Sequence, residues 1–153
     1  MTDQMTIESF LGEKKLALAG ASRKASKFGN AVLKELSSKG YKLLLVHPEA
    51  ETIDGVACHG SLAELPADVG GLINVVPPVQ TEKLVQEAYS AGIKKIWMQQ
   101  GSDSPVAIQY CKEHEMEVVH GECILMFAQP RGLHKFHHWL WGLFGKLPRG
   151  HHK

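Results

Sequence analysis

Between Leu16 and Asn30 the chain passes from an apolar run, Leu16-Ala17-Leu18-Ala19, through Gly20-Ala21-Ser22 and a basic stretch carrying Arg23, Lys24 and Lys27, to Phe28-Gly29-Asn30. Small residues at a bend let backbone approach a ligand closely. Val32, Leu33 and Leu36 follow at helical spacing, so a helix begins just beyond the bend. Its free N-terminal amides and positive dipole end favour an anion there. Residues of these types in this order suit phosphate binding. The plainer alternative is an ordinary strand-to-helix connection with a solvated basic loop.

The bend does not match the dinucleotide fingerprint G-x-G-x-x-G. Ser22 stands where the second glycine belongs, and Gly20 to Gly29 is too long a spacing. The acidic residue that closes the second strand of an NAD site, accepting ribose hydroxyls, is replaced by His47, with Glu49 and Glu51 a little beyond. Pro77 and Pro78 lack amide donors and suit a flat base or an apolar arm better than a phosphate.

Two further sets invite chemistry. His134, His137 and His138 cluster, but no Glu lies between them in an H-E-x-x-H pattern and no cysteine pair is near, so no metal site is expected. Cys123 follows an apolar stretch and is expected to approach the same crevice. A reactive thiol there would form a mixed disulfide with a thiol ligand; a buried inert cysteine is the alternative. Cys58 and Cys111 are taken as structural.

These groups need a scaffold, and the hydrophobic pattern supplies one. Apolar runs at 14–19, 42–46, 71–76, 94–98 and 117–120 read as strands. Helical spacing over 30–39, 81–91 and 104–114 separates them. Gly40 and Gly92 stop the first two of these helices; Ser104 caps the third and Pro105 opens it. A short helix is expected near Thr6–Leu11, a turn with a short extended piece at 53–58, and a capped helical turn at Ser61–Pro66. Alternating strands and helices give an α/β domain, a Rossmann-like doubly wound parallel sheet of about five strands. Ligands of such sheets lie outside the strand carboxyl ends. That rule gathers Gly20–Gly29, His47-Pro48, Pro77-Pro78, Gln99-Gln100-Gly101 and Gly121–Cys123 around one crevice.

The chain's 153 residues suit one domain, and 44% hydrophobic content is ordinary. Seventeen basic against sixteen acidic residues give a net charge of +1, so nothing global points to nucleic acid. The first fifteen residues hold no long apolar segment of the signal-peptide kind. No run reaches the roughly 18–20 apolar residues of a membrane span. Three cysteines are too few for a disulfide scaffold, and a cytoplasmic location is expected.

Over roughly 14–123 the sequence resembles the small stand-alone CoA-binding proteins related to the N-terminal CoA-binding domain of the succinyl-CoA synthetase alpha subunit. The resemblance rests on an ordered set of motifs. These are Gly20-Ala21-Ser22, Gly29, Gly40-Tyr41, Val46-His47-Pro48 (the family usually shows Val-Asn-Pro), Gly55-Val56, Ser61–Pro66, Val76-Pro77-Pro78 and Trp97–Gly101. It implies a Rossmann-like domain that binds CoA or an acyl-CoA. Carried over by motif, Gly20, Ala21, Ser22, Ser26 and Lys27 hold phosphates. His47 and Pro48 sit near the nucleotide, Val76, Pro77 and Pro78 line the adenine or pantetheine path, and Gln99 and Gln100 face the thiol-bearing arm. The synthetase's phosphorylatable histidine lies in another domain, so ligase activity is not expected here.

Beyond residue 126 the composition changes. Residues 127–132 read as a linker. Leu133, Phe136, Leu140, Leu143 and Leu147 form one helical stripe, with Trp139 and Trp141 off it. This C-terminal helical extension, 127–153, is expected to pack on the 1–126 domain, to mediate homo-oligomerisation or partner binding, or to lie at a membrane interface. The functional expectation is a non-catalytic CoA-binding carrier, sensor or regulatory subunit. The alternatives are a small NAD(P)-dependent oxidoreductase and an assembly protein with a nucleotide switch.

Overall fold

The computed structural model describes residues 4–21 and 28–128. The expected C-terminal extension, the histidine cluster, and Ser22, Ser26 and Lys27 lie outside them. In chain order the elements are α1 (Gln4–Leu11), β1 (Lys15–Ala19), α2 (Phe28–Ser38), β2 (Lys42–Val46), β3 (Thr52–Ile53) and β4 (Val56–His59). A 3-10 turn (Leu62–Glu64) follows, then β5 (Gly71–Asn74), α3 (Pro78–Ser90), β6 (Lys95–Gln99), α4 (Pro105–Glu113), β7 (Glu117–Glu122) and α5 (Ile124–Ala128).

The strands form one seven-stranded sheet in the order β3-β4-β2-β1-β5-β6-β7. All pairings are parallel except β3 with β4. Two strands more than the expected five come from residues 52–59. Asp54 and Gly55 both adopt positive φ, 52° and 79°, the backbone of a tight two-residue hairpin. Asn30 Nδ2 on α2 donates to Asp54 Oδ2 at 3.1 Å and ties that hairpin to the domain.

Strand alternation sorts the core into two layers. Leu16, Leu18, Ile73, Trp97 and Val119 pack with the apolar faces of α1, α2 and α5. Ala17, Ala19, Leu72, Ile96 and Met98 pack beneath α3 and α4. β1 therefore shows leucines to one layer and alanines to the other. The alanine side is shallow, and that is where the crevice opens.

Several boundaries differ from the sequence reading: α2 begins at Phe28, not Asn30, and β7 runs on through Gly121 to Glu122, not to His120. The third long strand ends at Asn74, not Val76, and α3 begins at Pro78, not Thr81. Pro77 is its N-cap and Pro78 its first residue, positions where a missing N–H removes no helix hydrogen bond. Ser61 makes no capping bond to the 3-10 turn; the Glu64 carboxylate instead accepts from the Gly60 N–H at 3.1 Å. Ser104 does cap α4, accepting from the Ala107 N–H at 3.2 Å. Among the described residues no helix is long and apolar enough to cross a membrane.

Candidate functional site

The chain leaves β1 for β2 on one side and later returns to β5 on the other side. Two successive connections thus diverge at the carboxyl end of β1, the switch point where doubly wound sheets take ligands. Gly20 turns the chain there with φ +122°. A Cβ on it would collide with the Val75 carbonyl and side chain. Gly29, in the first turn of α2, lies against the Gly20 carbonyl and the Ala21 nitrogen just as closely. Two glycines thus press strand end, bend and helix together.

On one side of the bend, the His47 N–H donates to the His59 carbonyl at 2.9 Å, extending the ladder. The His47 ring then folds back: Nδ1 accepts from the N–H groups of Glu49 and Ala50, each at 3.0 Å. On the other side, the Val75 N–H donates to the Ala19 carbonyl at 2.8 Å. The Val76 N–H donates to Ser102 Oγ at 3.0 Å, so the loop after β6 holds the start of the proline ledge.

A crevice of about 680 Å³ lies between these rims, within the 300–1,000 Å³ typical of small-molecule clefts. Ala19, Gly20 and Ala21 form its floor, His47 and Pro48 one rim, and Val76 and Pro77 another. Gln80, Lys83, Leu84 and Glu87 line it from α3, and Gly60 and Ser61 from the segment before the 3-10 turn. A shallower hollow of about 290 Å³ shares Ser61 and Glu87 and continues along α3 to Ser90 and Ala91.

Of the residues singled out in the sequence, Gly20, Ala21, His47, Pro48, Val76 and Pro77 come together around this crevice, with Gly29 behind the bend. Pro78 is spent opening α3. Gln99 is buried, and its Oε1 accepts from the Ile124 N–H at 3.0 Å; it holds α5 and does not line the crevice. Gln100 is exposed and also not among the lining residues. Cys123 is packed with Ile124 and Leu125 in the layer under α2 and α5. The expectation that it approaches the crevice is corrected: the bulge between Met98 and Gln99 and the cap of α5 occupy that strand end.

Sequence reading missed the α3 wall. Gln80, Lys83 and Glu87 recur at helical spacing beside Leu84, but apolar periodicity selects only Leu84, Val85 and Ala88, as a core-facing side. It also missed Asn74 and Thr81, whose side-chain polar atoms are buried without hydrogen-bond partners near the start of α3.

Burial pushes the Cys123 thiol up and the Cys111 thiol to about 12, so neither is a ready nucleophile near neutral pH. With a thiol reagent at pH 7.5, the native protein is expected to leave Cys111 and Cys123 unmodified over minutes, with both reacting once denaturant is added. Labelling of Cys123 in the folded protein at a free-thiol rate would contradict its packing.

These features define a Rossmann-like domain with a crevice at its switch point. The family model described as "CoA binding domain" matches residues 14–129, and the chain belongs to that family. It is 30% identical over 81 residues, 53% of its length and 12% of the relative, to an ADP-forming acetate–CoA ligase of Methanocaldococcus jannaschii. Such ligases also match from Archaeoglobus fulgidus and Pyrococcus furiosus, and the chain spans about one fifth or less of these curated relatives. Solved structures of matching size exist. A hypothetical protein from Pyrococcus furiosus has TM-score 0.71 and 40% identity, with 74% of this chain and 97% of that one covered. A hypothetical protein from Pyrococcus horikoshii has TM-score 0.76 and 30% identity, covering 87% and 93%.

Proposed function

We propose that this protein binds coenzyme A or an acyl-CoA in the crevice at the carboxyl ends of β1, β2 and β5, as a non-catalytic carrier, sensor or regulatory subunit. The observation that carries this reading is the convergence of Gly20-Ala21, His47-Pro48 and Val76-Pro77 on one crevice. The glycine-bearing bend leaves room for a pyrophosphate, and Ser22, Ser26 and Lys27 belong to the same connection. The apolar ledge at Val76-Pro77 suits the adenine or the pantetheine arm. Family membership supports the ligand. Three free cysteines fit a reducing, cytoplasmic setting. The apolar stripe in the sequence over Leu133–Leu147 is proposed to serve self-association or a partner.

Isothermal titration with CoA, NAD, NADP and ATP tests the ligand. Saturable binding of CoA and none of NAD is the expected result. Tight NADP binding without CoA binding would favour an oxidoreductase instead. Incubation with acetyl-CoA, ADP and phosphate is expected to yield no ATP; ATP formation would overturn the non-catalytic assignment.

A further inference from the structure

We infer that His47 and Lys83 form a subsite for a phosphomonoester carried on the ribose of the bound nucleotide. The inference rests on the crevice binding a nucleotide, as proposed above, and goes on to say which form of ribose it selects.

The position that closes β2 is where a doubly wound sheet meets the ligand's ribose. In NAD sites a carboxylate stands there and accepts hydrogen bonds from the free diol. Here His47 Nδ1 already accepts two backbone N–H groups, from Glu49 and Ala50. Those two donors fix the ring proton on Nε2. The ring lines the crevice, and among the described residues Nε2 has no partner. This rim therefore offers a hydrogen-bond donor where an NAD site offers an acceptor.

Lys83 reaches the same crevice from the second turn of α3. Among the described residues no carboxylate lies within the 4 Å of an ion pair from its ammonium; the pairs formed are Lys15–Asp68 and Lys95–Glu13. Glu87, one turn further on, lines both the crevice and its shallow continuation. An imidazole N–H donor and an unpaired ammonium suit a phosphate with two ionised oxygens. A free ribose diol would leave the ammonium without a counter-charge. The 3′-phosphate of CoA and the 2′-phosphate of NADP share this chemistry.

The test is titration of the full chain, at one fixed salt concentration, with CoA against 3′-dephospho-CoA and with NADP against NAD. The wild type is expected to prefer the phosphorylated member by about tenfold or more. Lys83→Gln, a change at an exposed helix position, is expected to lower affinity for the phosphorylated ligand about tenfold and to leave the dephosphorylated one within about twofold. His47→Asp keeps an acceptor for the Glu49 and Ala50 amides but replaces the donor with a negative charge. It should reverse the preference, and an unchanged melting temperature confirms that the fold is intact. Equal wild-type binding of CoA and dephospho-CoA, or a loss in Lys83→Gln shared equally by both, overturns the subsite while leaving the CoA reading standing. Binding of NADP alone, sensitive to Lys83, keeps the subsite and overturns the CoA reading. No binding of either phosphorylated ligand overturns both.

Discussion

Gly20→Ala is expected to lower folding stability by about 2–4 kcal/mol, combining backbone strain with overpacking. It is also expected to abolish ligand binding in whatever fraction remains folded. Gly20 has φ +122°, a region that side chains rarely enter. The added methyl would meet the Val75 carbonyl, and Val75 cannot retreat because its N–H is bonded to the Ala19 carbonyl at 2.8 Å. Relief requires parting β1 from β5, which is the floor of the crevice. Gly92→Ala is the control: its φ is +85° but nothing lies within 4 Å of the new methyl, so about 1 kcal/mol is expected. Urea unfolding of both variants, with midpoints compared at unchanged slope, measures the difference. Equal losses would show that the approach to Val75 is unimportant.

Trp97→Ala is expected to cost about 3–5 kcal/mol, the range for deleting a large buried aromatic. Trp97 sits mid-sheet, paired with Ile73 on β5 and Val119 on β7, and is fully buried. Its ring meets Phe10 of α1 at 5.4 Å between centroids, and its indole N–H points to the Glu122 carbonyl at 3.4 Å. Deleting it opens a void between the sheet and α1. The crevice lies on the opposite layer, under α3, so affinity for CoA measured well below the melting temperature should stay within about twofold. Denaturant unfolding followed by far-ultraviolet circular dichroism checks the first expectation, and titration the second. A loss under 1 kcal/mol would mean that α1 collapses into the gap.

The strands that pair inside the sheet were legible because they are apolar on both faces. Leu16–Ala19 reads as a buried run and is one, whereas Leu43–Val46 alternates buried and half-buried residues. Helix stops at Gly40 and Gly92 and the cap at Ser104 were legible from residue type alone. The hairpin at 52–59 was not, because its four-residue strand alternates weakly and its partner has two residues; a tight Asp54-Gly55 turn was the available signal. Within the site, strand-end logic located Gly20, His47 and Pro77, since topology alone brings them together. The same logic misplaced Gln99 and Cys123. A strand end marks the correct rim of the sheet but not whether the side chain points into the crevice or into the core; for Gln99 the two-residue alternation from Trp97 puts it on the α5 side. Lys83 was illegible because a polar helix face looks the same whether it meets solvent or a ligand.

The central position of β1 has a kinetic corollary. Leu16 pairs with Leu43 and with Gly71, so the middle of the sheet closes only when residues far apart in sequence meet. Such non-local pairing is slow relative to helix or hairpin formation. The switch point exists only after both pairings are made, and a chain with its helices formed but its centre open offers a nucleotide nothing to hold. Any occupant of the crevice therefore acts on the native state alone. It should slow unfolding, raise the melting temperature as its concentration rises, and add about 2.7 kcal/mol to the folding free energy at a hundredfold excess over Kd, while leaving the refolding rate unchanged.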